Sequence, residues 1–90
     1  MSKIEFSRDK IEGLLETLTQ LRPSEIRIYM FFVLTQTPGE WFQITYWDVS
    51  RLTGVKSAFA VLRDLVKQGK IEKRRGPSGH AQFRFLDDYR

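Results

Sequence analysis

The hydrophobic residues in the first part of the chain recur at helical spacing. The first apolar stripe is formed by Ile11, Leu14, Leu15, Leu18 and Leu21. Because residues three and four positions apart share one face of a helix, this stripe predicts an amphipathic helix with Ser7 as its N-cap. A second helix is predicted from Glu25 to about Thr37, where a Pro-Gly pair ends it. Its apolar residues occupy nearly every side of the helix, which is typical of the central helix of a small domain.

A short strand and a third helix follow. The β-prone run from Trp41 to Ile44 comes after the Pro-Gly turn and is predicted to be a strand. Thr45 then begins a third helix, and Asp48 three residues later completes an approximate capping box. Val49 and Leu52 are expected to face inward from this helix.

A fourth helix and a hairpin complete the pattern. Gly54 is expected to end the third helix in the left-handed conformation, and the fourth helix runs from about Lys56 to Gln68. Strand character returns in residues 70–75 and 81–86. The turn-forming Gly-Pro-Ser-Gly sequence between them predicts that the two strands form a hairpin.

The helical wheel of the fourth helix separates a core side from an outer side. The predicted core side consists of Val55, Ala58, Phe59, Leu62, Leu65 and Val66. The outer side and its flanks consist of Lys56, Ser57, Ala60, Arg63, Asp64 and Lys67. We therefore expect a cationic outer surface on which Ala60 and Val61 offer no polar group. Asp64 would repel phosphate there unless it is paired or accepts from a cytosine amino group.

Composition restricts the chain to one small domain. Its 90 residues are 41% hydrophobic and 29% charged, which is typical of a single globular domain. A domain of this size buries only about two-thirds of its unfolded surface, so we expect no large substrate cavity, no cofactor and no enzymatic activity. The absence of Cys excludes a disulfide framework and a zinc finger. The single histidine, His80, leaves neither a metal site nor a His-based triad.

The sequence contains no recognisable signal peptide or membrane span. The first ten residues mix charged with apolar side chains, and the longest apolar stretch, Ile28–Leu34, is far below the roughly 20 residues that a bilayer requires. We therefore expect a soluble, complete, cytoplasmic protein without a membrane partner, associated with the nucleoid when it is bound to DNA.

Positive charge is concentrated in the second half of the chain. The net charge is +4, but Met1–Ser50 carries five basic and seven acidic residues, whereas Arg51–Arg84 carries nine basic and two acidic residues. This asymmetry predicts a cationic surface suited to a polyanion such as DNA, RNA or an acidic membrane, with a solvated charged face as the alternative.

The order of helix, short strand, helix, turn, helix and hairpin resembles that of the winged helix-turn-helix family. Three stretches within Pro23–Leu86 carry the resemblance: RPSEIRIYMFFVL resembles the first helix, WDVSRLTGV the second helix with its turn, and LRDLVKQGKIEKR the end of the recognition helix running into the wing. The resemblance implies an α+β fold with a three-helix core, a short strand and a C-terminal β-hairpin wing, preceded by an extra N-terminal helix. Small MarR-like, plasmid or viral regulators of this fold bind DNA, and other winged helices mediate protein contacts.

On this scaffold the cations fall where a duplex would be contacted. The fourth helix corresponds to a recognition helix, which enters a major groove, and the hairpin to a wing, which meets phosphates or a minor groove. The candidate DNA-binding residues are Lys56, Ser57, Ala60, Arg63, Lys67, Lys73, Arg74, Arg75, Ser78, His80 and Arg84. The expected function is double-stranded DNA binding by a small transcriptional regulator or a replication or partition accessory protein.

Several alternatives stay open from the sequence. Arg63 either contacts a guanine edge or pairs with Asp64 or a neighbouring strand. The basic hairpin is either a DNA contact or a sheet edge protected by charge. The whole domain is alternatively a protein-interaction module, which a neutral stretch of the fourth helix and exposure of Tyr46 and Trp47 would favour. RNA is a further alternative, although no aromatic stacking surface on a sheet is evident.

The N-terminal helix has two possible roles. Its leucine stripe either packs on its own domain or pairs two subunits, as extra terminal helices do in winged-helix regulators, so that each half-site has its own recognition helix. We expect residues 1–22 to be a dimerisation element of a homodimer and residues 23–90 to form the winged helix-turn-helix domain. The dimerisation residues would be Ile11, Leu14, Leu15, Leu18 and Leu21.

Overall fold

Over residues 6–89, which the computed structural model describes, the chain folds into four helices and one sheet of three antiparallel strands. The elements in chain order are α1 (Arg8–Thr19), α2 (Pro23–Thr35), β1 (Trp41–Gln43), α3 (Tyr46–Thr53), α4 (Ala58–Lys67), β2 (Ile71–Arg75) and β3 (Ala81–Phe85). The predicted α+β class and the predicted order of elements are confirmed. No helix in this part of the chain is long and apolar enough to cross a membrane.

Local signals in the sequence set most of the helix ends. The Ser7 hydroxyl caps α1 by accepting a hydrogen bond from the Lys10 amide at 3.3 Å. The Thr45 hydroxyl caps α3 in the same way and accepts from the Asp48 amide at 3.0 Å. Gly54 ends α3 with a φ of +75°, a left-handed conformation that a side chain disfavours. These three predictions are confirmed.

Helix α2 begins before its predicted start at Glu25. Pro23 occupies the first helical position. A backbone N–H at this position would have no partner within the helix, so proline costs no hydrogen bond there, and its fixed φ suits the helix. The Glu25 carboxylate reaches back and accepts a hydrogen bond from the Arg22 backbone amide at 2.9 Å. The Pro-Ser pair that was predicted to separate the first two helices is therefore part of the first turn of α2.

Strand β3 is the middle strand of the sheet, with β1 on one side and β2 on the other. Phe83 pairs with Phe42 of β1 and Lys73 of β2, and residues directly opposite one another share a face of the sheet. Arg84, the next residue of β3, pairs with Trp41 on the opposite face. The face that carries the buried Phe83 is called the inner face below, and the face that carries Arg84 is called the outer face.

Helix α2 fills the centre of the core against the inner face. The Phe32 ring stacks on the Phe85 ring with centroids 6.1 Å apart and meets the Phe83 ring edge-on at 6.3 Å. The Tyr29 ring meets the Phe85 ring edge-on at 5.4 Å. All four rings are fully buried, which confirms the central position predicted for this helix.

The buried side of α4 is rotated relative to the prediction. Phe59 was predicted to lie in the core but is 53% exposed, whereas Val61 was predicted on the outer surface but is only 4% exposed. Ala58, Leu62 and Leu65 belong to both faces and are buried as predicted. At 100° per residue Phe59 and Val61 lie on opposite sides of these three residues. The buried face observed is therefore rotated by about 50° around the helix axis from the predicted one, which removes Phe59 from the core and brings in Val61.

Leu52 was also assigned wrongly to the core, because its side chain is 54% exposed. Helix α3 has eight residues, and Val49 is its buried residue. Leu52 lies about 60° around the helix from Val49. A helix this short buries a narrow stripe, and Leu52 falls outside it.

Helix α1 packs into the same core as the other elements. Leu14 of α1 and Leu21, which lies just after the helix, are each 8% exposed, and the partly buried Leu18 packs against the same cluster. Ile11 and Leu15 remain exposed. Three of the five predicted dimerisation residues are therefore engaged within the chain, and the two exposed ones are left for contact with another subunit.

The C-terminal segment that contains Asp87 and Tyr89 contacts both α1 and α2. The Tyr29 hydroxyl donates to the Asp87 carboxylate at 2.6 Å and is also hydrogen-bonded to the Tyr89 hydroxyl. The Tyr89 hydroxyl lies 3.4 Å from the Thr17 hydroxyl of α1. Burial, together with the hydrogen bonds to Asp87 and Tyr89, raises the pKa of Tyr29 well above its usual value, so this phenol stays neutral.

Glu25 is a buried carboxylate that joins the start of α2 to the end of α4. It accepts hydrogen bonds from the Arg22 guanidinium at 3.2 Å and from the Gln68 amide at 3.0 Å. Burial by itself raises the pKa of Glu25, but the hydrogen bonds from Arg22 and Gln68 and the charge of Arg22 outweigh it. The pKa of Glu25 therefore lies below its usual value.

We expect Glu25→Gln to destabilise the fold at neutral pH and to have much less effect in acid. A carboxyl whose pKa is lower in the folded state stabilises the fold above its unfolded pKa, about 4.3, and this contribution disappears as the pH falls through the folded value. The expected loss in the free energy of unfolding at neutral pH is about 1–3 kcal/mol, the range for removing a buried charged group that accepts hydrogen bonds. Urea unfolding at neutral pH and near pH 3 measures both values. Equal losses at the two pH values would contradict a role for the ionised carboxylate.

Candidate nucleic-acid interface

The outer side of α4 carries two cations. Arg63 and Lys67 are exposed, and neither makes an ion pair within residues 6–89. The neighbouring Asp64 is paired with Arg22, with 2.8 Å between its Oδ2 and the guanidinium Nη2. The structure therefore does not support the alternative in which Asp64 neutralises Arg63. Ala60 lies partly buried on the same helix.

The turn before α4 adds further cationic surface. Lys56 and Ser57 are exposed there, and the Ser57 hydroxyl makes no capping hydrogen bond to the helix. Both residues line a surface cleft together with Arg27 of α2. The Arg27 guanidinium lies beside Gly54, since a Cβ atom added to Gly54 would be 3.5 Å from it. Sequence reasoning missed Arg27, because only the packing of α2 beside the α3–α4 turn brings it to this cleft.

The tip of the β2–β3 hairpin is a tight turn, as its Gly-Pro-Ser-Gly sequence predicts. The Gly76 amide donates to the His80 carbonyl at 2.8 Å, and the Gly79 amide donates to the Gly76 carbonyl at 2.9 Å. The Ser78 hydroxyl donates to the Gln43 side-chain oxygen at 3.3 Å. This bond holds Ser78 toward β1, whereas the His80 side chain is exposed.

The cations of the hairpin are divided between the two faces of the sheet. Neighbouring residues on a strand point to opposite faces, so Lys73 and Arg75 belong to the inner face and Arg74 to the outer face. Arg84 of β3 also belongs to the outer face. The inner-face pair points to the side of the sheet on which α4 lies, and the outer-face pair points away from it.

Lys73 connects the hairpin to the helices. Its ammonium lies 5.2 Å from the centroid of the Tyr46 ring and 5.6 Å from the centroid of the Phe59 ring. A pocket of about 170 Å³ opens at this place. It is lined by Tyr46, Phe59, Leu62, Arg63, Val66, Lys73 and Phe83. We call the surface formed by Phe59, Arg63, Lys67, Lys73 and Arg75 the α4–hairpin surface.

Trp41 organises the cations of the outer face. The Arg74 guanidinium lies 4.2 Å from the Trp41 ring centroid, and the Arg84 guanidinium lies 4.8 Å from it. Arg74 Nε also donates to the Gln82 side-chain oxygen at 2.8 Å, and Arg84 forms an ion pair with Glu72. An aromatic side chain, Trp41, therefore lies on the outer face of the sheet. Two guanidinium groups cover the Trp41 ring, however, and one of them is neutralised.

The α4–hairpin surface combines positive charge with one exposed aromatic ring. Its cations come from two separate elements. The acids adjacent to them in sequence are engaged elsewhere, since Asp64, next to Arg63, is paired with Arg22, and Glu72, next to Lys73, is paired with Arg84. Within residues 6–89 no three potential metal ligands come together. Comparison with protein-family models, curated proteins and solved structures gives no match for this chain.

Proposed function

We propose that this chain is a winged helix-turn-helix protein that binds double-stranded DNA, without chemistry of its own, as a small transcriptional regulator or a replication or partition accessory protein. The observation that carries the proposal is the α4–hairpin surface, where Arg63 of the helix and Lys73 of the hairpin line one pocket. In this interpretation α4 is the recognition helix and the β2–β3 hairpin is the wing.

The order of the elements supports this interpretation. Helix α3, the turn at Gly54 and helix α4 follow one another in the order that a helix-turn-helix requires, and the hairpin follows α4 directly. Strand β1 pairs with β3, and Phe83 of β3 is buried in the core, so the base of the hairpin is fixed relative to α4. A fixed hairpin beside an exposed helix holds its cations at constant spacing, as contact with regularly spaced phosphates requires.

A helix as the contacting element favours DNA over double-stranded RNA. The ten residues of α4 form a helix about 15 Å long. The major groove of B-DNA, about 12 Å wide, admits a helix, whereas the deep and narrow major groove of A-form RNA does not. The experiment that tests the proposal is a fluorescence-anisotropy titration of the full chain with short DNA duplexes of unrelated sequence at two salt concentrations. No binding to any duplex at the lower salt concentration would reject it.

We expect Arg75→Ala to weaken binding to every duplex alike. Loss of one phosphate contact should reduce the slope of log affinity against log salt by about 0.9. Arg74→Ala is the matched control, because it removes the same charge from the same strand but on the outer face, where the guanidinium stacks on Trp41. We expect it to change affinity and slope less. An unchanged slope for Arg75→Ala would reject the wing assignment, and equal effects of the two variants would reject a role specific to the inner face.

A protein-interaction module is the second candidate function. Trp47 is 75% exposed on α3, and Leu52 of the same helix is also exposed. Exposed tryptophan is enriched among the residues that dominate protein–protein binding. A chain that is folded by circular dichroism but binds no duplex in the titration above would favour this candidate over DNA binding.

A further inference from the structure

Phe59 is an exposed aromatic residue held in a fixed orientation at the start of α4. It is the second residue of the helix, and 53% of its side chain is exposed. The Phe59 ring meets the Tyr46 ring edge-on, with centroids 5.0 Å apart. The Lys73 ammonium lies over the Phe59 ring, 5.6 Å from its centroid. These contacts restrict the rotamers of Phe59, so the chain presents an apolar surface at a defined place on the α4–hairpin surface.

The residues around Phe59 limit what α4 is able to recognise. The helix sequence AFAVLRDLVK contains no Asn, Gln, Ser or Thr, the neutral side chains that hydrogen-bond to base edges. Its carboxylate, Asp64, is engaged by Arg22. Within the helix, the accessible groups that remain are the Phe59 ring, the partly exposed Ala60 methyl group and the cationic side chains, and the exposed Ser57 hydroxyl precedes them in the turn. Helix α4 therefore offers apolar contact and positive charge.

An apolar side chain has one apolar partner in the major groove, the 5-methyl group of thymine, and 5-methylcytosine carries the same group at the same position. The N-terminal residues of a recognition helix are those that reach the base edges, and Phe59 lies in the first turn of α4. We propose that Phe59, with Ala60 beside it, binds the 5-methyl group of a pyrimidine in the major groove. The chain then prefers duplexes that carry thymine or 5-methylcytosine; this inference rests on the proposed DNA binding.

The first test compares two duplexes that differ only in this methyl group. The full chain is titrated, at one salt concentration, with a duplex of alternating A·T pairs and with the same duplex in which deoxyuridine replaces thymidine. Burial of one methyl group corresponds to a change in affinity of about fourfold, so we expect binding to weaken by about that factor for each contacted methyl group. The wild-type protein is sufficient for this comparison. Tight and equal binding to both duplexes would overturn the inference and leave DNA binding intact, whereas no binding to either would reject both.

Two further arms identify the protein and DNA groups responsible. Phe59→Ala should bind the thymine and uracil duplexes with equal affinity, whereas Leu34→Ala, which trims a 51% exposed leucine on α2, should keep the full discrimination. Methylation of cytosine in an alternating G·C duplex should strengthen wild-type binding by a similar factor for each contacted methyl group. If affinity changes between the thymine and uracil duplexes but not between the methylated and unmethylated G·C duplexes, recognition of the methyl group is overturned and the preference is assigned to duplex shape. Discrimination that persists in Phe59→Ala would overturn the role of Phe59.

Discussion

Leu62→Ala is expected to reduce the free energy of unfolding by about 2–5 kcal/mol, the range for a buried leucine whose removal leaves a cavity. Leu62 is 1% exposed and lies on the buried side of α4. It also lines the pocket of about 170 Å³ beside Phe59, so the space left by the smaller side chain would join an existing pocket that the surrounding atoms do not fill. Urea unfolding followed by far-UV circular dichroism, at one protein concentration, measures the loss.

Leu52→Ala is the matched control for this prediction. It makes the same chemical change on the neighbouring helix, but at a side chain that is 54% exposed. Surface substitutions of this kind change stability by no more than about 0.5 kcal/mol. A Leu62→Ala protein as stable as the parent would show that the buried side of α4 is not the one described, and a large loss in Leu52→Ala would place that leucine at an interface between chains.

The elements themselves could be predicted from the sequence because their signals are local. The caps at Ser7 and Thr45 and the left-handed Gly54 each depend on residues within four positions, and each is found where it was predicted. The start of α2 is the exception. Pro23 fits the sequence equally well as a break between helices or as a first helical residue. In the structure the Arg22 backbone amide donates to the Glu25 carboxylate, and Pro23 is the first helical residue.

The orientation of α4 could not be predicted from periodicity. Phe59 and Val61 lie on opposite flanks of the same apolar stripe, and the helical wheel placed Phe59 on the core side together with Val55 and Val66. The structure buries Val61 instead, because the Phe59 ring is accommodated at the surface between Tyr46 and Lys73. Contacts between elements that are far apart in sequence decide such a rotation.

The candidate interface shows the same division between local and distant information. The charge of the hairpin and its turn are visible in the sequence, and strand alternation alone already separates Arg74 from Arg75. The partners of the charged groups are not visible there. Asp64 pairs with Arg22 across 42 positions of sequence, and this pair leaves Arg63 without its nearest acid.

Deletion of residues 1–21 is expected to leave a chain that does not fold stably. The deletion removes the buried Leu14 and Leu21 and the partly buried Leu18, and it uncovers Tyr89, which packs in the same cluster. Full burial of one leucine contributes about 1.5–3 kcal/mol, so the loss is comparable with the total stability of a small domain, about 5–15 kcal/mol. Sedimentation velocity and circular dichroism of the truncated chain should show unfolding or aggregation.

The same measurements decide what remains of the dimerisation hypothesis. Leu15→Ala is the control, because Leu15 lies next to Leu14 but is 57% exposed, and we expect it to keep the fold. If the exposed flank of α1 pairs two subunits, Leu15→Ala lowers the sedimenting mass from dimer to monomer and weakens DNA binding, since two linked half-site contacts become one. A truncated chain that is a folded monomer would contradict the internal packing of the leucine stripe. A truncated chain that remains a folded dimer would contradict both roles of α1 and move the subunit interface to the hairpin or the C-terminal residues.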